Sequence, residues 1–209
     1  MDFVYSGLAV LAAYLVGSLS FAVIVSRFVG LADPRSYGSK NPGATNVLRS
    51  GNKKAAIATL VLDAVKGWLP LWVAGVWGPG LGLGPITMAL VGLAAFVGHL
   101  YPVFFHFKGG KGVATAVGVL FGVDWLLALA CLASFGIVVF FTRFVSLASM
   151  VAAVFAPVYF MFGGDVAWEA SPPMVGALVV MAVLLIWRHR ENVDRLVKGT
   201  ESKLGAKKK

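Results

Sequence analysis

Long apolar segments alternate with short polar segments along this chain, a pattern that predicts membrane-spanning α-helices. About 20 apolar residues in a helix are enough to cross a bilayer, and most of the segments approach that length. Seven spans are predicted, at residues 3–26, 55–77, 85–105, 113–123, 125–141, 145–162 and 172–187. The fourth would be only about 17 Å long as a helix, so we expect it to extend into the preceding turn and to be supported by its neighbours.

The distribution of positive charge gives these spans an orientation. The segments 27–54, 106–112, 142–144 and 188–209 contain 17 of the 18 Lys and Arg residues, and Lys66 in the second span is the exception. The other connections contain none and hold the acidic residues Asp2, Asp124, Asp165 and Glu169. Because cytoplasmic segments are rich in Lys and Arg, we expect the N-terminus outside and the C-terminus in the cytoplasm. Joining the fourth and fifth segments into one span would invert everything after them.

The composition agrees with an all-α integral membrane protein. Of the 209 residues, 59% are hydrophobic and 13% are charged, and we expect one membrane domain over residues 1–209. The start, Met1-Asp2-Phe3, lacks a basic region, so we expect the first apolar segment to remain as a span. The single cysteine, Cys131, excludes an intrachain disulfide and a cysteine metal cluster. The net charge of +9 lies at the predicted membrane surface, which favours anionic substrates over nucleic acid.

A turn rich in lysine and glycine follows the third span. It reads His106-Phe107-Lys108-Gly109-Gly110-Lys111-Gly112-Val113-Ala114-Thr115. Glycines let backbone N–H groups approach a ligand, the N-terminus of the next helix adds partial positive charge, and the lysines add full charges. This combination indicates phosphate binding, although it lacks the GxxxxGK[ST] spacing of a Walker A loop. The alternative is a hairpin turn whose lysines only mark the cytoplasmic side.

Two further polar segments lie on the same predicted side. Residues 37–49 read YGSKNPGATNVLR, and residues 188–195 read RHRENVDR. Small hydroxyl and amide side chains between Gly and Pro can hold a polyol or a phosphate, and Arg49 could bind phosphate through two hydrogen bonds. The alternatives are a capped cytoplasmic loop for the first segment and a basic helix end for the second.

Several ionisable residues have two interpretations. Asp63 and Lys66 are three residues apart and thus neighbours on one helix face, so they are either functional or a self-neutralising brace. His99, near the inner end of the third span, is more simply a packed, hydrogen-bonded histidine than a catalytic one. His189 and Asp194 spell H-x4-D, an acyltransferase signature, but in a basic tail we interpret the spelling as coincidence.

Four segments together resemble the bacterial acyl-phosphate:glycerol-3-phosphate acyltransferases, a membrane-integral family. The segments are residues 38–49, 107–115, 143–149, and 189–192 with 199–201. The combination of GSxNPGATNVxR with FKGGKGVAT is specific, and the resemblance covers nearly the whole chain with the motifs in the same order. Lys40 departs from the pattern, which has a small residue there, often glycine. It adds charge beside the pocket and leaves the assignment intact.

The resemblance implies a first step of phospholipid synthesis. A fatty acyl-phosphate would give its acyl group to the 1-hydroxyl of sn-glycerol 3-phosphate, yielding lysophosphatidic acid and phosphate, with no cofactor. Members of this family have seven spans and an active site on the cytoplasmic side of the bacterial inner membrane, so the resemblance implies the same arrangement here. The expected partners are therefore the two substrates and the lipid bilayer, and not nucleic acid. A site that holds two phosphates at the membrane surface would account for the convergence of cations and glycine N–H groups.

Carried over residue by residue, the resemblance implies three catalytic residues, Ser39, Arg49 and Lys108. The substrate-binding residues that it implies are Asn41, Thr45, Asn46, Gly109, Gly110, Lys111, Thr115, Arg143, Ser146, His189 and Asn192. Residues 108–111 are expected at the acyl-phosphate head, and Arg49 with Asn192 and His189 at the phosphate of glycerol 3-phosphate.

No general base is evident. The acyl-phosphate is already activated, so positioning and charge neutralisation can suffice, with a substrate phosphate oxygen taking the hydroxyl proton. A covalent Ser39 nucleophile is the competing mechanism, but no His–Asp pair adjoins it in sequence. A transporter of an organic phosphate, with Asp63 and Lys66 lining its path, is the rival function. The clustering of polar motifs on one side and the lack of an inverted repeat disfavour it. A membrane scaffold, a third possibility, would not need the lysine and glycine turn.

Overall fold

Most of the described chain is helical. The computed structural model describes residues 2–164 and 166–205, and this part of the chain contains ten α-helices and no β-strand. The helices are α1, Asp2–Gly17; α2, Phe21–Phe28; α3, Ala44–Leu48; α4, Lys53–Trp77; α5, Pro85–Leu100; α6, Val113–Val123; α7, Trp125–Thr142; α8, Val145–Phe162; α9, Pro172–Arg188; and α10, Arg190–Val197. Asp165, which we predicted in an outer turn, lies outside the described residues.

Most predicted spans agree with these helices. The bounds of α6 and α8 are the predicted ones, and α4, α7 and α9 begin and end within two residues of theirs. The third predicted span ends differently, because α5 stops at Leu100 and a 3-10 turn at Val103–Phe105 completes the apolar segment. Pro102, which cannot donate a backbone hydrogen bond, lies between the two, where the α-helix is interrupted.

The first predicted span is wrong in one respect, because the helix expected over residues 3–26 is broken at residues 18–20. The axes of α1 and α2 meet at 44°, and α2 continues to Phe28. The ammonium group of Lys66, on α4, donates a hydrogen bond of 2.6 Å to the carbonyl oxygen of Leu19 in the break. A distant side chain therefore satisfies a carbonyl group that the break exposes, and no proline in the sequence signals it.

Among the residues that the structure describes, four segments are long and apolar enough to cross a membrane. They are α4, Pro85–Phe105, α7 and α8. The number rises to six if each of two bent pairs, α1 with α2 and α9 with α10, crosses as one span. The 11-residue α6 is shorter than these. The helices are therefore those of a multi-pass membrane protein with four to six spans by length and composition, and a seventh stays a prediction.

The chain divides into two compact units, one ending at Val123 and the other beginning at Asp124. Asp124 has an extended backbone, and its carboxylate accepts hydrogen bonds of 2.7 and 3.0 Å from the N–H groups of Leu126 and Leu127. This is an N-cap, which satisfies donors that the first turn of α7 leaves unpaired. The cap keeps the fourth and fifth predicted segments distinct. The single membrane domain stays a prediction.

Close backbone contacts at glycines join the helices of the first unit. A Cβ on Gly17 of α1 would collide with the carbonyl oxygen of Ala95 on α5. Likewise, a Cβ on Gly118 of α6 would collide with the carbonyl oxygen of Ala64 on α4. Small residues at such contacts are typical of membrane helix bundles. They hold α5 and α6, which flank the lysine and glycine turn, against α1 and α4.

A small apolar core supports the polar segment between α2 and α4. Its buried residues are Ala22, Val25, Val47, Ala55 and Ala56, with Leu31, Ala58 and Leu62 packed against them. Helices α2, α3 and α4 all contribute, so burial of these side chains fixes the short α3 against its neighbours. The core thereby sets the position of Asn46, which lies on α3.

The second unit consists of α7 to α10 and the described part of the tail. Helix α8 packs against both α7 and α9, and the chain bends by 57° between α9 and α10. After α10 the tail returns to the end of α7, where the N–H group of Leu204 donates a hydrogen bond of 2.8 Å to the carbonyl oxygen of Arg143. The return brings residues 200–204 close to the start of α8.

Candidate active site

Asn46 organises the polar loop of the first unit. It is buried, and its amide nitrogen donates to the carbonyl oxygens of Pro34 at 2.6 Å and Tyr37 at 3.1 Å. Its amide oxygen accepts a hydrogen bond of 3.0 Å from the backbone N–H group of Ser39. Because these bonds occupy both ends of the amide, Asn46 holds the loop in shape. Its contact with substrate stays a prediction.

Ser39 and Arg49 are exposed beside Asn46. The Arg49 guanidinium group lies 3.5 Å from the Asn46 amide oxygen. Gly38 lies next to this guanidinium group and has a positive φ of 60°. A Cβ on Gly38 would lie 3.4 Å from a guanidinium nitrogen of Arg49 and would collide with the amide oxygen of Asn46. The loop thus presents a hydroxyl group and a guanidinium group together, and Thr45, also exposed, lies on the first turn of α3.

The backbone conformation at Lys40 accounts for the glycine that the family pattern often has there. Its φ is 55°, in the left-handed region where a glycine has no steric penalty. Its side chain is exposed, and its backbone N–H group donates to the carbonyl oxygen of Tyr37 at 2.9 Å. The glycine that the pattern favours there therefore relieves the backbone, and the lysine adds charge without altering the loop.

The lysine and glycine turn is packed against α5. Gly109 and Gly110 are buried, and the N–H group of Gly110 donates a hydrogen bond of 3.1 Å to the carbonyl oxygen of His99. A Cβ on Gly109 would collide with that same carbonyl oxygen. Lys108 is exposed and Lys111 is half-buried. The glycines therefore allow a close approach that places two cationic side chains at one end of the first unit.

One contact brings the turn and the polar loop together. A Cβ on Gly110 would lie 2.7 Å from the carbonyl oxygen of Pro42, which follows Asn41 in the loop. A second contact supports it, since the Arg35 guanidinium group lies 5.8 Å from the centre of the Phe105 ring, just before the turn. The predicted site residues of the first unit thus form one cluster, which joins residues 39–49 to residues 108–111.

Thr115 has a different environment from the one predicted. It is completely buried on α6, and its hydroxyl oxygen lies 3.0 Å from Nδ1 of His99. His99 in turn lies 3.7 Å from the carboxylate of Asp63. The expectation of a packed, hydrogen-bonded His99 is confirmed. A buried hydroxyl that contacts a histidine supports the turn from within the protein, and direct contact of Thr115 with substrate stays a prediction.

Glu201 is the centre of the polar cluster in the second unit. Its carboxylate accepts hydrogen bonds of 2.7 Å from Ser146, 2.6 Å from the Asn192 amide and 2.7 Å from Arg195. Two predicted substrate-binding residues are therefore tied to a single carboxylate. Glu201 was assigned no role from the sequence, although it belongs to residues 199–201 of the segments that carry the family resemblance.

The other predicted residues of this unit have their own contacts. The guanidinium group of Arg143 donates to the carbonyl oxygen of Leu204 at 2.7 Å, so it anchors the returning tail. Nδ1 of the buried His189 lies 2.8 Å from the carbonyl oxygen of Leu185. Asp194 pairs instead with Lys198 at 2.9 Å. These separate contacts agree with the interpretation of H-x4-D as coincidence.

Burial raises the pKa of the Glu201 carboxyl, but the hydrogen bonds from Ser146, Asn192 and Arg195 outweigh it, so that its pKa lies below the usual 4.5. A lowered pKa means that this group stabilises the fold above about pH 4.5, and that the stabilisation is lost as the pH falls through the lower folded-state value.

We expect Glu201→Gln to lower the free energy of unfolding at neutral pH by about 1–3 kcal/mol, because a charged acceptor of buried hydrogen bonds is lost. Arg195 is 38% exposed, so its bond contributes little of this. Thermal unfolding between pH 7 and pH 3 measures both effects, and the variant should lose less stability than the wild type as the pH falls below about 4.5. Glu191→Gln, an exposed site on α10, is the control. Equal acid sensitivity of the two variants would contradict this role of Glu201.

Comparison with known proteins identifies the family. Residues 7–199 match the family model described as glycerol-3-phosphate acyltransferase. The chain is 63% identical to the glycerol-3-phosphate acyltransferase of Albidiferax ferrireducens, over 95% of this chain and 89% of that protein. It is 60% identical to that of Bordetella petrii, over 94% and 92% of the two chains.

Two crystal structures of PlsY (YgiH), an integral membrane glycerol 3-phosphate acyltransferase, are similar to this fold. The glycerol 3-phosphate form is 38% identical with a TM-score of 0.87, and the lysophosphatidic acid form is 37% identical with a TM-score of 0.86. Each comparison covers 96% of both chains. With the helices, the clustered motifs and these similarities in agreement, we conclude that this integral membrane protein belongs to the glycerol-3-phosphate acyltransferase family.

Proposed function

We propose that the protein transfers a fatty acyl group from an acyl-phosphate to the 1-hydroxyl of sn-glycerol 3-phosphate, the first step of phospholipid synthesis. The contact between Gly110 and Pro42 carries the proposal, because it joins the turn bearing Lys108 and Lys111 to the loop bearing Ser39 and Arg49. Both substrates carry phosphate, and the cationic side chains that the turn and the loop present are suited to bind it. The related PlsY has structures in forms with the acceptor and the lysophosphatidic acid product.

In the proposed reaction, the 1-hydroxyl oxygen of glycerol 3-phosphate attacks the acyl carbonyl carbon. A carbon–oxygen bond forms, the bond from that carbon to the phosphate oxygen breaks, and inorganic phosphate leaves. The hydroxyl proton passes to a substrate phosphate oxygen. Lys108 and residues 109–111 would neutralise the charge on the departing phosphate, in the way that an oxyanion hole stabilises developing charge. Positioning of the two substrates then supplies much of the remaining catalysis.

The acceptor phosphate is assigned to Arg49. Its exposed guanidinium group has the fork geometry that suits two hydrogen bonds to phosphate. We propose that Ser39, Asn41 and Thr45 orient hydroxyl groups and phosphate oxygens. The substrate roles of Ser146, His189 and Asn192 stay predictions. Asn46 and Thr115 act indirectly, through the loop and through His99. Arg143 binds the tail in this structure, and its substrate role stays a prediction.

The reaction is tested by purifying the protein and measuring phosphate release from a long-chain acyl-phosphate. We expect release only when glycerol 3-phosphate is present, with one lysophosphatidic acid formed for each phosphate. Glycerol in place of glycerol 3-phosphate tests the need for the acceptor phosphate, and acyl-CoA in place of acyl-phosphate tests the donor. Transfer from acyl-CoA at an equal rate would overturn the donor assignment while leaving the family intact.

We expect Ser39→Ala to lower kcat at least about tenfold without forming an acyl-enzyme, since the hydroxyl group orients a substrate. The backbone N–H group of Ser39, and not its side chain, makes the bond to Asn46, so the loop should keep its shape. Rapid mixing with labelled acyl-phosphate alone, followed by denaturation, should leave the wild-type protein unlabelled. Ser36→Ala, at an exposed serine of the same loop, is the control. Stoichiometric label that disappears in Ser39→Ala would establish covalent catalysis instead.

The membrane arrangement that we propose has seven spans, an outer N-terminus, a cytoplasmic C-terminus and an active site facing the cytoplasm, in the bacterial inner membrane. It is supported by the division of positive charge among the connecting segments. In this arrangement α6 crosses as a short span, and the whole chain forms one membrane domain.

Single-cysteine labelling in a Cys131→Ser background tests the arrangement. We expect cysteines at Gly80 and Glu169 to react with an impermeant reagent from outside, and cysteines at Lys53 and Ser202 only after the cytoplasmic side is opened. The sides follow from the positive charge around the last two positions. Labelling of positions 53 and 169 from the same side would exclude the seven-span arrangement.

A further inference from the structure

A chain of buried polar groups lies behind the lysine and glycine turn. The ammonium group of Lys66 is 2.7 Å from the carboxylate of Asp63, and both side chains are at most 3% exposed. The Asp63 carboxylate is 3.7 Å from Nδ1 of His99, and that nitrogen is 3.0 Å from the hydroxyl oxygen of Thr115. Three helices, α4, α5 and α6, therefore meet through polar side chains inside an apolar unit.

This network contacts the turn at two points through His99. The backbone carbonyl oxygen of His99 accepts the hydrogen bond from the N–H group of Gly110 at 3.1 Å. The ring of the same residue packs on Gly110 so closely that a Cβ there would collide with Nε2. The orientation of one histidine therefore sets the position of the backbone of Gly110.

Thr115 fixes that histidine from the far side of the turn. It lies on the first turn of α6, three residues after Gly112, where the turn has ended. Its contact with Nδ1 ties the ring, which belongs to the helix before the turn, to the helix after it. Both ends of the turn are thus fixed to one another through a single side-chain pair.

The cost of burying this network indicates that it does more than fill space. Two charges inside a membrane bundle are expensive, and an apolar pair of the same volume often stabilises a protein as well or better. The ion pair here keeps an anion next to Nδ1 of His99, which limits the orientations that the ring can adopt. An apolar pair would pack equally well but would not orient the ring.

We propose that Asp63, His99 and Thr115 are positioning residues that hold the backbone of Gly109 and Gly110 in the geometry that binds a phosphate group. The ligand is the phosphate group shared by the substrates and the inorganic product. The assignment rests on the proposed function of the turn and adds the residues that shape it. None of the three contacts the reacting atoms.

The test compares two threonine variants of the purified enzyme. Thr115→Val removes the hydroxyl group that contacts His99 and keeps the volume, whereas Thr115→Ser keeps the hydroxyl group. Thr59→Val is the matched control, because Thr59 is equally buried on α4 but its hydroxyl group donates to Ala55 of its own helix. Each variant is assayed for kcat, for KM of both substrates, for inhibition by inorganic phosphate, and for thermal unfolding.

We expect Thr115→Val to raise the KM of a phosphate-bearing substrate, or the inhibition constant of inorganic phosphate, by about fivefold or more, as the loss of one buried hydrogen bond would do. Thr115→Ser should restore most of the affinity, and Thr59→Val should change only the unfolding temperature. His99→Asn, which keeps an amide near the position of Nδ1, should bind phosphate better than His99→Leu.

Three outcomes separate the possibilities. If folded Thr115→Val and His99→Leu both keep wild-type KM and phosphate inhibition, the network is structural only and the inference is wrong. If Thr59→Val raises KM as much as Thr115→Val does, the effect is general loosening of the bundle, which also overturns it. If the wild-type protein transfers no acyl group from acyl-phosphate, the proposed function fails. Inhibition by inorganic phosphate of acyl transfer from another donor, such as acyl-CoA, would then still test the network.

Discussion

Gly110→Ala is expected to lower kcat/KM for acyl transfer by about a hundredfold, the cost of misplacing a binding group by about 1 Å. The added methyl group would collide with Nε2 of His99 and lie 2.7 Å from the carbonyl oxygen of Pro42. Both contacts are with fixed groups and not with the far end of a flexible side chain. The turn would therefore have to move away from the polar loop, and this separates Lys108 from Arg49.

The measurement is steady-state kinetics of the purified variant together with its thermal unfolding. Gly136→Ala is the matched control, because nothing lies within 4 Å of a Cβ built on that helical glycine. Lys108→Ala, which removes charge and leaves the backbone alone, should cost at least about tenfold. If the Gly110 and Lys108 variants both fold normally and keep near-full activity, the turn is only a topological marker, and the phosphate site lies elsewhere.

Lys66→Met is expected to lower the free energy of unfolding by about 3–5 kcal/mol, the usual cost of removing one partner from a buried ion pair. The substitution leaves the carboxylate of Asp63 buried without its cation. It also removes the donor to the carbonyl oxygen of Leu19 at the break between α1 and α2. Unfolding in a graded denaturant series, followed by tryptophan fluorescence, measures the loss.

The double variant Asp63→Leu, Lys66→Met separates charge from packing. Because it leaves no unpaired buried charge, it should recover at least half of the lost stability, which is the non-additivity expected of groups in contact. Lys66→Met that unfolds within about 0.5 kcal/mol of the wild type would show that neither the ion pair nor the bond to Leu19 stabilises the fold. If the double variant is stable but has a raised KM for phosphate-bearing substrates, packing at these two positions is enough for stability, and the charges of the pair are needed for binding.

The sequence alone determined the helical membrane architecture and the protein family. Apolar segments of defined length are read directly from hydropathy, so α6 and α8 have the predicted bounds. The motifs of residues 38–49 and 107–115 identified the acyltransferase family because each needs particular residues at particular spacings, which is local information. Asp63 and Lys66 were recognisable as a pair for the same reason, because residues three apart in a helix are neighbours on one face.

Only the tertiary structure decided what these residues touch. The break at residues 18–20 depends on Lys66, 47 residues away, and no local signal predicts such a partner. Packing buries the side chains of Asn46 and Thr115, and it places the first on its own loop and the second against His99. Glu201 gained its role from Ser146, 55 residues away. Contacts across such distances arise when helices pack, and the order of residues along the chain does not specify which side chains then meet.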